Sequence, residues 1–133
     1  MELKWKYKID LKDSKVFDEI GAKRGISFPE KLKDFIIEAN AATPDKIKFM
    51  IENNEKVFGA VFSFNRDETE ADSVFDALPV IEDKNLIPFG IDPFGNFICY
   101  SIKDEVVVFW DHEADSVEST ELSLDDFLKS LYM

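Results

Sequence analysis

The sequence predicts an α+β fold, in which helices pack on a mainly antiparallel sheet with a central meander. The meander is predicted from residues 86–111, where aromatic and β-branched runs are interrupted twice by turn residues. Asp92–Gly95 has the residues that a type I turn favours, and Lys103–Asp104 forms the second reversal. Antiparallel strands are therefore expected at about 86–91, 97–102 and 105–110.

The residues before the meander alternate between strand and helix patterns. Residues 2–9 alternate apolar side chains with lysines, which predicts a half-exposed strand. Helices are predicted at 14–24, capped by Gly25, and at 28–40, where Ser27 and Glu30 have capping-box spacing. Two further strands are expected at 46–51 and 56–64. Apolar residues on both faces of the second predict that it is central in the sheet.

An acidic insertion follows at residues 65–83. Apolar residues at helical spacing predict a short helix at 70–78 that begins after Thr69 and stops at Pro79. Its outward side chains are expected to face water or a partner, and they are Asp67, Glu68, Glu70, Asp72 and Asp76. After the meander, a brief strand at 117–120 and a last helix at 123–132, starting at Ser123, complete the chain.

Length and composition favour one domain over residues 1–133. The chain is 45% hydrophobic with 13 Phe, enough apolar material for a dry core. A single cysteine excludes an intramolecular disulfide, and the absence of an apolar run near 20 residues predicts no membrane span. The N-terminus has no hydrophobic signal segment, so a cytoplasmic protein is expected.

The charge of the chain is strongly acidic and unevenly distributed. The net charge is −12, and residues 49–133 carry 5 Lys and Arg against 19 Asp and Glu. Such a field repels nucleic acid and attracts a basic protein, so a protein partner is expected and nucleic acid is not. The plain alternative is that the acidity only keeps the protein soluble.

The residue types restrict the possible chemistry. One histidine and one cysteine exclude zinc sites built from several such ligands, and no nucleotide-binding or hydrolase motif occurs. Cys99 is expected to be buried and inert in its strand. The cluster Asp111–Glu113 is the only candidate for a metal or acid–base site. The plainer interpretation is that Asp111 caps a backbone amide and that His112 packs on an aromatic ring. No cofactor or metal is expected.

The antiparallel meander predicts that its first turn and the turn after its last strand are neighbours. Going down one strand and back along the next returns the chain to the same end of the sheet. Together these turns would form what we call the acidic rim: Asp92, Asn96, Asp111, His112 and Glu113. The rim and the acidic side chains of residues 67–76 are the predicted partner-binding residues.

Several ordered segments resemble one known family. These are Phe28-Pro29 before an amphipathic helix, Ile87–Gly90 followed by Asp92 and Gly95-Asn96, and the run Val108–Glu113. Over residues 16–131 the chain is similar to the SUKH superfamily, the Smi/Knr-type immunity proteins. It departs at Ala41-Ala42, where the family usually has a glycine-rich turn. The resemblance implies helices on one side of a curved, mainly antiparallel sheet.

The same resemblance implies a function. Many members neutralise a bacterial toxin, often a nuclease, whereas fungal members are regulatory scaffolds. The leading hypothesis is therefore a non-catalytic immunity protein that binds a basic toxin domain through its acidic surface. The alternatives are a regulatory interaction module and a small-ligand or metal-dependent enzyme that uses Asp92, Asp111, His112 and Glu113.

Overall fold

A computed structural model describes residues 3–133 of the chain. Within this range the helices are α1 (Val16–Arg24), α2 (Glu30–Ala39), α3 (Val74–Ala77) and α4 (Leu124–Ser130). The strands are β1 (Trp5–Lys6), β2 (Thr43–Pro44), β3 (Lys48–Ile51), β4 (Asn54–Val57), β5 (Ala60–Val61), β6 (Leu86–Ile91), β7 (Phe97–Ser101), β8 (Val106–Asp111) and β9 (Ser116–Ser119). The predicted α+β class is confirmed. None of the described helices is long and apolar enough to cross a membrane.

The predicted meander forms the centre of a five-stranded sheet with the order β5-β6-β7-β8-β9. Each neighbouring pair in this sheet is antiparallel, and Cys99 of β7 lies between Pro88 of β6 and Val108 of β8. The β6–β7 register shifts between Pro88 and Gly90, because proline has no N–H for the ladder. The strand predicted at 117–120 is present as β9.

The predicted continuous strand at 56–64 is wrong. The chain forms β4, which pairs with β3 in a separate two-stranded sheet, and then the short β5 at an edge of the main sheet. Gly59 lies at the break, where an added Cβ would be 2.8 Å from the carbonyl oxygen of Ile91. The segment is therefore apolar on both faces because it crosses between two sheets in the core, not because it is central in one.

The predicted helix at 70–78 is reduced to the four residues of α3. Its N-cap is Ser73, whose Oγ accepts a hydrogen bond from Phe75 N at 3.1 Å, and not Thr69. The preceding backbone pairs elsewhere: Ser63 N donates to Asp72 O at 2.8 Å, and Val74 N donates to Ser63 O at 2.9 Å. These longer-range hydrogen bonds replace the helical ones, so local periodicity gave the wrong length.

The N-terminal strand is also shorter than predicted. Its first predicted residue, Glu2, lies outside the described range, and only β1 forms, paired with β2. Tyr7 has a φ of 61° and its side chain is 81% exposed, although the alternation placed it inward with Trp5. A left-handed residue cannot continue a strand, so the alternation ends there.

Besides Thr69, the ends of the other helices confirm two predicted caps and contradict one. Gly25 adopts a left-handed φ of 71° after α1, and Ser123 Oγ accepts a hydrogen bond from Asp126 N at 3.2 Å at the start of α4. The predicted capping box at Ser27 and Glu30 is wrong. Pro29 occupies the N-cap of α2, and no side chain caps that end.

Buried aromatic side chains join the helices to the sheet. Phe35 of α2 lies 6.0 Å from Phe89 of β6 between ring centroids, and Phe89 lies 6.0 Å from Phe58. Phe58 stacks on Phe127 of α4 at 5.9 Å, and Phe127 contacts Phe49 of β3 at 5.0 Å. This series of aromatic contacts joins the five-stranded sheet, the β3–β4 sheet and two helices in one core.

Candidate partner-binding surface

The first turn of the meander and the turn after β8 are in direct contact, as the topology predicts. Asn96 Oδ1 accepts a hydrogen bond from His112 N at 3.1 Å and lies 2.7 Å from His112 Nδ1. Because a carbonyl oxygen only accepts, this pairing requires the Nδ1–H form of the imidazole. The other end of the amide, Nδ2, donates to Asp92 Oδ2 at 3.0 Å. Asn96 therefore connects the two halves of the acidic rim.

Asp92 is a structural member of the rim rather than an exposed one. It is only 7% exposed, and its Oδ1 accepts hydrogen bonds from Phe94 N at 2.9 Å and Asn96 N at 2.8 Å. Gly95 follows with a left-handed φ of 86°, which the turn requires and glycine adopts without strain. The carboxylate of Asp92 thus holds the turn closed.

The second turn presents its carboxylates at the surface. Asp111 Oδ1 accepts hydrogen bonds from Glu113 N at 2.9 Å and Ala114 N at 3.3 Å, so it caps backbone amides as the plainer interpretation expects. Asp115 Oδ1 accepts the indole N–H of Trp110 at 2.9 Å. His112 and Glu113 are exposed. The turn therefore has a fixed backbone and outward negative charge.

This arrangement gives the acid–base and metal hypotheses little support. His112 has Nδ1 on Asn96, and the carboxylates of Asp92 and Asp111 accept hydrogen bonds from the turns themselves. Within residues 3–133, no group of three or more histidine, cysteine and acidic side chains is arranged to hold a metal ion. What the rim offers is a rigid charged surface.

Phe94 is a rim residue that sequence reasoning missed. Its side chain is 73% exposed in the Asp92–Asn96 turn, which contacts the second turn through Asn96. Its position in the sequence carried the signal, because the third residue of a four-residue hairpin turn projects away from the sheet. Phe94 is therefore an exposed aromatic side chain in the turn that also carries Asp92 and Asn96.

The acidic side chains of residues 67–76 lie in a different environment. The carboxylate of Glu68 accepts a hydrogen bond from Ser63 Oγ at 2.7 Å, and this bond lowers the pKa of Glu68. Arg66, just before them, pairs with Glu19 of α1 at 3.1 Å. Asp67, Glu70, Asp72 and Asp76 are exposed, but only Asp76 lies on a helix. The hydrogen bonds and ion pairs described here join this segment to α1 and to Ser63, not to the rim.

Cys99 is completely buried in β7, as predicted. Burial raises the pKa of its thiol far above the ordinary value, because the thiolate would have to form in an apolar core. The residue therefore belongs to the packing and not to a site.

Comparison with known families shows to which family the chain belongs. A family model described as SMI1-KNR4 cell-wall (SUKH_6) matches residues 15–128. The chain belongs to the SUKH superfamily. The matched range runs from the start of α1 into α4, so it contains the five-stranded sheet and the whole acidic rim of this SUKH domain. No curated protein matches the chain.

The SUKH domain has a left-handed residue at Ala41, although its sequence has no glycine there. Ala41 has a φ of 62°, although it is an L-residue with a Cβ, and it is buried. Its N–H donates to Phe62 O at 3.4 Å, and Ala42 N donates to Ala39 O at 3.0 Å. The surrounding hydrogen bonds hold the conformation that the usual glycine-rich turn would adopt freely.

Proposed function

We propose that this SUKH domain is a non-catalytic immunity protein that binds and neutralises a basic, nuclease-like toxin domain in the cytoplasm. The observation that carries the proposal is the acidic rim, whose first turn also exposes Phe94. An aromatic anchor 73% exposed, beside carboxylates whose backbone is fixed, has the composition of an interface hot spot. Family membership supports the class of function.

The charge distribution supports a basic partner. Residues 49–133, which contain the rim, carry 19 acidic against 5 basic side chains. Within the rim, Asp111 and Glu113 lie in a turn that Asn96 holds in place. Complementary charge of this kind accelerates encounter with a basic surface, and burial of Phe94 would slow release. Inhibition needs only that the bound domain covers the active site or the substrate-binding surface of the toxin.

The rigidity of the rim supports a binding role further. Both turns are closed by their own aspartates, and the two turns are joined by one amide side chain. A preorganised surface loses little conformational entropy on association, which favours tight binding from a small area. A catalytic role would instead require polar groups left available for substrate.

The proposal is tested by capture and by growth. The immobilised domain is used to retain proteins from the cell that produces it, beside a variant with Asp111→Lys and Glu113→Lys. We expect a basic protein that the native domain retains and the variant does not. Expressed alone, that protein should stop growth, and co-expression of the native domain should restore it.

Two results would contradict this function. A specifically retained partner that does not impair growth would favour the regulatory interaction module. A hydrolytic or transfer activity of the purified domain that His112→Ala abolishes would favour the enzyme hypothesis. The matched control is a variant with Asp104→Lys and Glu105→Lys, which makes the same charge change in the β7–β8 turn at the opposite end of the meander.

A further inference from the structure

A surface groove runs between α1 and the segment that contains α3 and the residues after it. Its volume is about 760 Å³, within the range of ligand-binding clefts. Ile20 of α1 and Phe75 and Leu78 of the opposite wall give it an apolar lining. Val80, just beyond that wall, is 50% exposed, so apolar surface continues outside the groove.

The groove is basic in a protein that is otherwise acidic. Its lining includes Lys23, Arg24, Arg66 and Lys84, against Glu19 and Glu82. Two of these cations, Arg66 and Lys84, are among only five basic residues in positions 49–133. A local excess of positive charge on a chain of net charge −12 selects for an anionic occupant.

The two arginines build the walls of the groove. The Arg24 guanidinium donates to backbone oxygens of Leu78 at 3.3 Å, Asp83 at 3.0 Å and Leu86 at 3.1 Å, and so holds the loop against α1. Arg66 pairs with Glu19 and lies 4.8 Å over the ring of Phe75. These contacts fix the shape of the groove and leave the lysines for an occupant.

Lys23 and Lys84 are the cations available for binding. Both are exposed, and neither forms a salt bridge with a carboxylate in the part of the chain that the structure describes. Lys23 belongs to α1 and Lys84 to the opposite wall, so the two lysines come from different walls of the groove. Cations on both walls of an apolar groove suit a segment that carries both apolar and acidic side chains.

We propose that this groove binds an acidic peptide segment of a partner protein, with an apolar side chain on the groove floor and carboxylates on Lys23 and Lys84. The site goes beyond the toxin-binding role proposed above. Arg24 bonds to Leu86 at the start of β6, whereas the rim follows Ile91 at its end. A six-residue strand separates the two surfaces by roughly 17–20 Å, so both can be occupied together.

Fluorescence polarisation with a labelled probe tests the proposal. The probe is a six-residue peptide with Leu-Phe flanked by two Glu on each side, titrated with the full-length domain. We expect saturable binding that weakens as salt rises, because the lysines are exposed to solvent. A variant with Lys23→Glu and Lys84→Glu should weaken binding at least tenfold. The matched control, Lys103→Glu and Lys129→Glu, changes the same charge on exposed residues outside the groove and should bind like the native domain.

Amide chemical shifts then locate the peptide. We expect the resonances of residues 75–84 to move and those of the 92–96 and 111–113 turns to stay. Equal loss of binding in both lysine variants, or shifts centred on the rim, would overturn the proposal. Failure of the peptide to saturate at millimolar concentration would also overturn it, as would equal binding of a probe with Ser-Ser in place of Leu-Phe. Binding of decanoate, an anion with an apolar chain, without binding of the peptide would contradict the proposal that the groove binds a peptide.

Discussion

Asn96 and His112 are 16 residues apart in the chain, and the Asn96 Oδ1 atom lies 3.1 Å from His112 N and 2.7 Å from His112 Nδ1. The pair joins the turn after β6 to the turn after β8. Antiparallel topology places both residues at the same end of the sheet. The amide side chain of Asn96 then joins the two turns into one surface. The rim's proposed function rests on this connection.

Removal of the Asn96 side chain should loosen the rim without unfolding the domain. We expect Asn96→Ala to lower the free energy of unfolding by about 1 kcal/mol, since a partly exposed backbone N–H loses its acceptor. His112→Ala is the comparison, because it removes only the ring contact and keeps the backbone hydrogen bond. Urea unfolding measures both. An equal or larger effect of His112→Ala would contradict the assigned role of Asn96.

Phe94→Ala should affect binding and not folding. The side chain is 73% exposed, so we expect the unfolding free energy to change by no more than about 0.5 kcal/mol. Affinity for the captured partner should fall at least about tenfold, as for an aromatic hot spot. Met50→Ala, an exposed apolar residue on β3, is the control and should bind normally. Unchanged affinity of Phe94→Ala in calorimetry would move the interface away from this turn.

Charge reversal of Asp111 and Glu113 should act on the association rate. We expect the Asp111→Lys, Glu113→Lys variant to associate about tenfold more slowly than the native domain at low salt, with the difference shrinking as salt screens the field. The domain should stay folded, with a small decrease in melting temperature because Asp111 Oδ1 accepts two backbone hydrogen bonds of the turn. Surface plasmon resonance over a salt series measures this. The Asp104→Lys, Glu105→Lys variant should have a smaller effect; the reverse order would contradict the assignment.

The carboxylate of Glu68 should make stability depend on pH. Its hydrogen bond from Ser63 Oγ lowers its pKa in the folded state, so its contribution is present above the ordinary carboxyl pKa and is lost as pH falls through the folded value. We expect Glu68→Gln to lower the free energy of unfolding by less than about 1 kcal/mol at pH 7, because solvent screens this partly exposed carboxylate, and to have little effect in acid. Asp67→Asn, at the exposed neighbour, is the matched control for the loss of one carboxylate charge. Chemical denaturation at several pH values measures it, and a constant difference would contradict this role.

The thiol of Cys99 should react only when the sheet opens. It has no solvent exposure, so a reagent cannot reach the sulfur. Burial also raises the pKa of the thiol, so the reactive thiolate is disfavoured. We expect labelling by a thiol reagent to be slower by orders of magnitude than for an unfolded chain. In a Phe94→Cys variant, one thiol should label at once and the other should not. Rapid labelling of both would place Cys99 outside the core.

Local sequence predicted the parts of the fold whose residues determine their own conformation. The meander follows from strongly β-forming runs and from turn residues such as Asp92 and Gly95, which permit few alternatives. The caps at Gly25 and Ser123 follow in the same way. The sequence failed where residues far apart compete for backbone groups. The pairing of Ser63 with residues 72–74 shortened α3, and the close approach of Gly59 to Ile91 broke a predicted strand in two.

The candidate surface was predicted in part. Antiparallel topology was enough to bring Asp92, Asn96, Asp111, His112 and Glu113 to one end of the sheet. The sequence could not show that Asp92 would turn its carboxylate inward, because that depends on three hydrogen bonds made only in the closed turn. Nor could local patterning show that Glu68 bonds to Ser63 rather than facing a partner.

The sequence by itself determined the α+β class, the central meander, the acidic field and the meeting of two turns at one end of the sheet. Each depends on short-range backbone preference, on the period of apolar residues or on a simple count of charges. Tertiary structure alone decided which acidic side chains remain available to a partner and where basic side chains come together in a groove. The basic groove beside Arg24 arises from residues brought together across the fold, and no local pattern encodes such a meeting.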